Sequence, residues 1–144
     1  MKLILVFVSL AVALAQTTPS NAQSISPAGR YTKKSGGAGE MRVEKTEQGW
    51  RVFVDAGGIP RGGATAADCI LIAVGDIKGN TFDGEIKYQL GELDEKPSAG
   101  NAVAPEHKMT ITFTPQFATA TAADVSDLCA PHNGLFGRYT KDRK

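Results

Sequence analysis

Two cysteines, two histidines and one tryptophan in 144 residues leave little from which chemistry can be built. Only His107 and His132 are suited to act as near-neutral bases, and neither sits in a Gly-x-Ser-x-Gly or similar setting. The chain is therefore not expected to be an enzyme. There is no Cys-x-x-Cys and no His-x-x-x-His, so a metal centre built from Cys69, Cys129, His107 and His132 lacks the local spacing such sites use. No metal and no cofactor are expected. The glycine-rich stretches 35–39 and 57–63 lack the strand-loop-helix setting and the Gly-Lys-Ser/Thr ending of a phosphate loop. A dense Lys/Arg run is also missing, and with it any demand for nucleic acid or an anionic membrane.

The apolar runs fall short of the roughly 20 residues that cross a bilayer as a helix. The longest, residues 3–15, is interrupted only by Ser9 and follows Met1-Lys2, the charged start and apolar middle of a signal peptide. Cleavage after Ala22 is preferred over Ala15 because a polar spacer with Pro19 then separates the apolar core from the cut. No cysteine follows the run, so a lipid anchor is not expected, and the mature chain is read as exported to the periplasm or the medium. In that oxidising setting Cys69 and Cys129 are expected to form a disulfide, worth roughly 4 kcal/mol in the chain-entropy model.

Loss of residues 1–22 removes only Lys2 and leaves equal numbers of acids and bases, unevenly spread. Residues 23–67 hold seven bases and four acids, residues 68–127 four bases and ten acids, and residues 128–144 four bases and one acid. If the ends meet in space, a basic region faces an acidic one; a mixed surface is the simpler expectation.

Along the mature chain, 23–28 is a loose leader and 29–141 a single β domain, with 142–144 a charged tail. Polar and apolar residues alternate over 40–44, 50–55 and 107–113, which predicts strands with one wet face. The same alternation over 82–90 places Phe82, Gly84, Ile86, Tyr88 and Leu90 on one face. Residues 69–74 are apolar throughout and read as a more deeply buried strand. With 29–33, 117–121 and 136–141 this makes about eight short strands, an all-β antiparallel barrel or sandwich. The pentapeptide Gly-Arg-Tyr-Thr-Lys occurs twice, at 29–33 and 137–141. It is expected to mark the first and last strands where the sheet closes, with both tyrosines in the core.

In layout the chain resembles the periplasmic inhibitors of C-type lysozyme and their inhibitor-like relatives. The features that carry this are the signal peptide, the eight short strands, the two cysteines, and the ending in which Cys129 is followed by Gly134-Leu135-Phe136-Gly137-Arg138-Tyr139. The resemblance implies a small exported barrel. The Ser-Gly-x-x-Tyr motif of those inhibitors is missing, since Ser35-Gly36 is followed by Gly37-Ala38-Gly39, so no inhibitory residue is carried over.

Two recognition elements stand out. Ile59-Pro60-Arg61 lies between glycine pairs, with Pro60 to stiffen a loop crest and Arg61 to meet a carboxylate. The second is a basic strip of Arg30, Lys33, Lys34, Arg138 and Lys141, of which Arg30 and Arg138 should face outward. His132, beside Pro131 and Asn133, reads as a turn residue, and Asp83 and Glu85 as solvated strand acids. The expected function is an exported module that binds a protein, such as a lysozyme-like cell-wall hydrolase. The alternative is a small-ligand carrier whose cavity is lined by Trp50, Phe82, Tyr88 and Phe113.

Overall fold

Strands follow from residues that alternate between water and core. In the computed structural model these are β1 (Gly29–Lys33), β2 (Ala38–Thr46), β3 (Gly49–Gly57), β4 (Asp68–Lys78), β5 (Thr81–Leu90), β6 (Lys108–Phe113), β7 (Phe117–Ala123) and β8 (Gly137–Lys141). The structure describes residues 25–57, 68–92, 95–123, 125, 127–129 and 134–143. The expected signal peptide, Ile59, Pro60, Arg61 and His132 lie outside them.

Each strand pairs antiparallel with the next, and β8 pairs with β1, so the sheet is a closed eight-stranded barrel. Closure leaves no unpaired edge to recruit another chain. Eight strands enclose a space that side chains can fill. Tyr31, Met41, Val52, Val54, Leu71, Phe82, Ile86, Ile111 and Tyr139 fill it with no exposed surface, and Phe113 is buried with them.

The two copies of the pentapeptide meet at the seam, Thr32 opposite Thr140 and Tyr31 opposite Lys141. They interlock reciprocally. Lys33 Nζ lies 5.6 Å from the centre of the Tyr139 ring, and Lys141 Nζ lies 5.4 Å from that of Tyr31. Each phenol donates to a carbonyl four residues before it, Tyr31 to Pro27 at 2.7 Å and Tyr139 to Leu135 at 2.8 Å. Each lysine donates to backbone beside the other copy: Lys141 to the Ser26 carbonyl at 2.6 Å, Lys33 to that of Gly134 at 2.6 Å and also to that of Phe136. The leading glycines, at φ 143° and 110°, leave room for these lysines; a Cβ on Gly29 would sit 3.0 Å from Lys141 Cε.

The expected alternation of β5 fails past Ile86. Ile72 of β4 pairs with Tyr88, but Ala73 pairs with Ile86, so Lys87 is an extra residue and the strand changes phase. Tyr88 and Leu90 therefore belong to a second cluster, with Phe53, Ile70 and Ile72, apart from the barrel core. The cause lies in β4, apolar on both faces: its outward Ile70 and Ile72 need apolar neighbours, and the bulge supplies them. A second bulge at Thr121 adjusts β6 against β7.

Burial pushes the Tyr31 phenol from 10.0 up to about 12. Tyr139 is raised further, by burial and then by the Asp55 carboxylate. For a group whose folded pKa is raised, the stabilisation is complete below the unfolded pKa and is lost as pH climbs through the folded one. Lys33, lowered by burial, works in the opposite sense in the alkaline range. Urea unfolding should show stability falling between pH 10 and 12, roughly 2–3 kcal/mol of it from Tyr31. Tyr31→Phe should flatten the profile by that amount; an unchanged slope in the variant would refute the assignment.

Candidate functional site

An up-and-down barrel distributes its connections between two ends. At one end the turns are tight: 47–48, 79–80 and 114–116. At the other emerge 34–37, 58–67, 91–107 and 124–136, so every long connection gathers on one rim. Binding groups belong on such connections, held by a rigid scaffold.

This rim is built on three glycines. Gly37 of the β1–β2 connection, Gly57 at the end of β3 and Gly134 ahead of β8 pack backbone to backbone. A Cβ on Gly37 would lie 2.6 Å from the Gly57 carbonyl oxygen, and one on Gly134 would lie 2.5 Å from the same atom. Gly37 and Gly134 also adopt φ of 104° and 73°, where side chains are strained. Lys33 reaches this node from β1. The residue is only 6% exposed, and its ammonium is held by the Gly134 and Phe136 carbonyls and the Tyr139 ring. Without such donors satisfied, burying a cation would be strongly unfavourable.

The root of segment 58–67 is thus fixed on both sides. Gly57 leaves β3 through the glycine node. Cys69, at the start of β4, is bonded to Cys129 with the Cα atoms 5.5 Å apart. Cys129 closes a turn in which its amide donates to the Val125 carbonyl at 2.9 Å. The expected disulfide is present, and it connects the far root of the segment to the connection that returns to Gly134.

Charged groups of both signs stand around the rim. On the arc of β5–β7 the connections carry Glu92, Glu95, Glu106 and Asp127 together with Lys96. His107 is buried there, with Nε2 3.5 Å from an Asp127 carboxylate oxygen, and its carbonyl accepts from Ile86 N at 2.9 Å. Backbone and Asn101 hydrogen bonds hold the Glu95 carboxyl below its ordinary value. On the β8–β1 arc stand Lys34 and Arg138, both exposed.

The basic strip does not survive as one surface. Lys33 is buried in the node and Lys141 is used at the seam. Arg30 and Arg138 do face outward, but their antiparallel strands set them toward opposite ends of the barrel. Arg30 lies toward the tight-turn end, bonded to Glu40 and 3.6 Å from the Asp142 carboxylate. Arg138 starts near the long-connection rim, but its guanidinium reaches back toward the tight-turn end, 4.8 Å from the centre of the Phe117 ring. Alternation alone could not separate the two, because both occupy the second position of the same pentapeptide. Asp83 and Glu85 are strand-surface acids, bonded to Thr110 at 2.8 Å and to Lys87. Among the described residues no group of three His, Cys, Asp or Glu is placed to hold a metal.

One exposed residue escaped the pattern reading. Phe136 is 46% exposed on this rim, directly before the closing strand. Its position in Gly134-Leu135-Phe136-Gly137 was a usable signal, since glycines on both sides fit an extended, outward-turning segment.

Compared with known proteins, the chain matches no family model, no curated protein and no solved structure.

Replacing both Cys69 and Cys129 with serine should lower unfolding free energy by about 4 kcal/mol in the chain-entropy account. Gly134→Ala should cost about 1–3 kcal/mol from its left-handed backbone alone, before the clash with Gly57. Urea unfolding measures both, and a Gly134→Ala protein as stable as wild type would show that the node is not tight.

Proposed function

We propose that the protein is an exported binding module that presents its long-connection rim to a protein partner with an acidic concave site. A cell-wall-directed hydrolase such as a lysozyme fits that description, because glycoside hydrolysis places paired carboxylates in a cleft. The observation that carries the reading is the rigid double root of 58–67, the segment that contains Ile59, Pro60 and Arg61. Gly57 enters through a backbone-packed node and Cys69 is tied to Cys129. A loop rooted in this way loses less entropy on binding than a free one. Its arginine offers the bidentate geometry that carboxylates accept.

The packed interior favours this reading over the carrier. Phe82 and Phe113 interlock with other side chains in the core, and Tyr88 lies in the separate cluster, so the proposed lining does not surround a common space. The disulfide suits an oxidising compartment, in keeping with an exported chain.

The mature, oxidised protein, immobilised and challenged with lysozymes of the C, G and invertebrate types, should retain at least one of them. Retention should weaken with salt, and Arg61→Ala should reduce affinity by roughly 30-fold, the effect of a hot-spot residue. Absence of both retention and inhibition across the panel would reject the hydrolase reading.

A further inference from the structure

We propose that segments 26–33 and 134–141 are two copies of one self-complementary pairing element. Through it a chain with an open seam joins a second copy of itself, β1 on β1 and β8 on β8. The partner is this same chain, and the binding-module reading neither requires nor excludes it.

The seam has an approximate two-fold symmetry. Thr32 stands opposite Thr140, its own counterpart in the other copy, and Tyr31 stands opposite Lys141, the counterpart of Lys33. The register is therefore the one the pentapeptide makes with itself. Its contacts obey the same symmetry, each lysine lying over the tyrosine of the other copy. Lys141 donates to the Ser26 carbonyl and Lys33 to that of Gly134, both at 2.6 Å. Each of these acceptors stands five residues ahead of its own tyrosine. The phenols are tied within their own copies, Tyr31 to Pro27 and Tyr139 to Leu135. Lys33 also donates to Phe136, and Ala28 holds the matching place in the first copy. Outside the pentapeptide every acceptor is a backbone carbonyl, so the differing side chains there do not enter. Two copies of either segment thus contain every donor, ring and acceptor that the seam uses.

The faces agree as well. Tyr31, Lys33 and Tyr139 are buried on the core side of the sheet. Pairing like strands about Thr32, or about Thr140, keeps the tyrosines of both chains on one face, where a joint core covers them.

The seam is also where the barrel opens most readily. Its ladder sets two residues of β1 against β8, whereas the ladder of β2 and β3 runs from Ala38 to Thr46. Every other ladder joins strands consecutive in sequence, and this one joins the first to the last. Closing so long a loop costs the most chain entropy and comes late in folding. Until it closes, β1 and β8 are unpaired edges, the usual template for pairing with another chain. In an ordinary strand exchange each edge accepts only the opposite edge of a second copy. Here the repeat lets each edge accept its own kind.

Thr32→Cys and Thr140→Cys, made separately in the mature, oxidised protein, test this. Each variant, at high concentration, is opened in urea at about pH 5, where thiol exchange with Cys69–Cys129 is slow. It is then returned to buffer, separated by size and mildly oxidised. Residues directly opposite in an antiparallel pair have Cα atoms about 4.5–5.5 Å apart, within reach of a disulfide. A dimer whose yield rises with concentration should form, linked 32 to 32 in one variant and 140 to 140 in the other by peptide mapping. Linked yield should exceed that of Glu44→Cys, on the outer wall of β2, by about tenfold or more, because disulfides form only at such separations. The wild-type chain should give a dimer of the same size, so a folding defect in one cysteine variant cannot imitate the result. Ordinary exchange sets 32 against 140 of the second copy, and then neither single variant links. That outcome overturns the proposal, as does a wild-type chain that stays monomeric at every concentration, or linkage no greater than from position 44. Retention of a lysozyme by the monomer is a separate result and bears only on the hydrolase reading.

Discussion

The seam between the first and last strands is the constraint on which the rest of the structure depends. A meander of eight strands has two edges until β1 and β8 pair, and the shared run of that pairing is short. Hydrogen bonds over so few residues are a weak lock, since each contributes only about 1 kcal/mol net. The repeated pentapeptide adds what the ladder lacks. Each tyrosine enters the core and is tied by its hydroxyl to its own leader, and each lysine crosses the seam to lie over the other tyrosine. The arrangement is reciprocal because the two segments run antiparallel, so identical sequence produces identical contacts in opposite directions. Full burial of both rings makes the lock apolar as well as polar.

That lock also reaches the end where the long connections gather. Lys33 closes the seam through Tyr139 and, with the same ammonium, holds the Gly134 and Phe136 carbonyls. Gly134 in turn packs on Gly57 and Gly37. The barrel closure and the root of the long connections therefore share atoms. The opposite end has the matching lysine, Lys141, which lies over the Tyr31 ring and donates to the Ser26 carbonyl ahead of β1. Two equivalent devices thus serve different ends: one ties down the segment ahead of β1, the other organises a rim.

The fold was legible because its signals are local and repeated. Alternation in 40–44, 50–55 and 107–113 needed only the two-residue period of a strand, and the paired cysteines needed only an oxidising destination. The pentapeptide repeat was legible as a seam because β8 has to find a neighbour. What could not be read depended on contacts between strands. Nothing in 82–90 itself marks the change of phase at Lys87; it follows from the apolar outer face of β4, met only when the two strands pair. Lys33 looked like surface charge because lysine usually is. Its burial requires two carbonyls and a ring contributed from about 100 positions later in the chain. The difference between Arg30 and Arg138 likewise comes from strand direction, which identical pentapeptides cannot encode.

The same reasoning explains why the repeat is identical only over five residues. Reciprocity demands glycine, tyrosine and lysine at matching positions, because each lysine needs space beside the other copy's glycine and a ring to lie over. Outside that window the two segments have different neighbours. Residue 34 opens a turn into β2, whereas residue 142 lies beside Arg30. Residues 27 and 135 both place a carbonyl under a tyrosine hydroxyl, a role indifferent to side chain, and they are accordingly Pro27 and Leu135. Closure constrains the glycine, tyrosine and lysine of each copy, which touch across the seam, and leaves the flanks to other uses. On the rim side, the flank freed from closure is the stretch that carries Phe136.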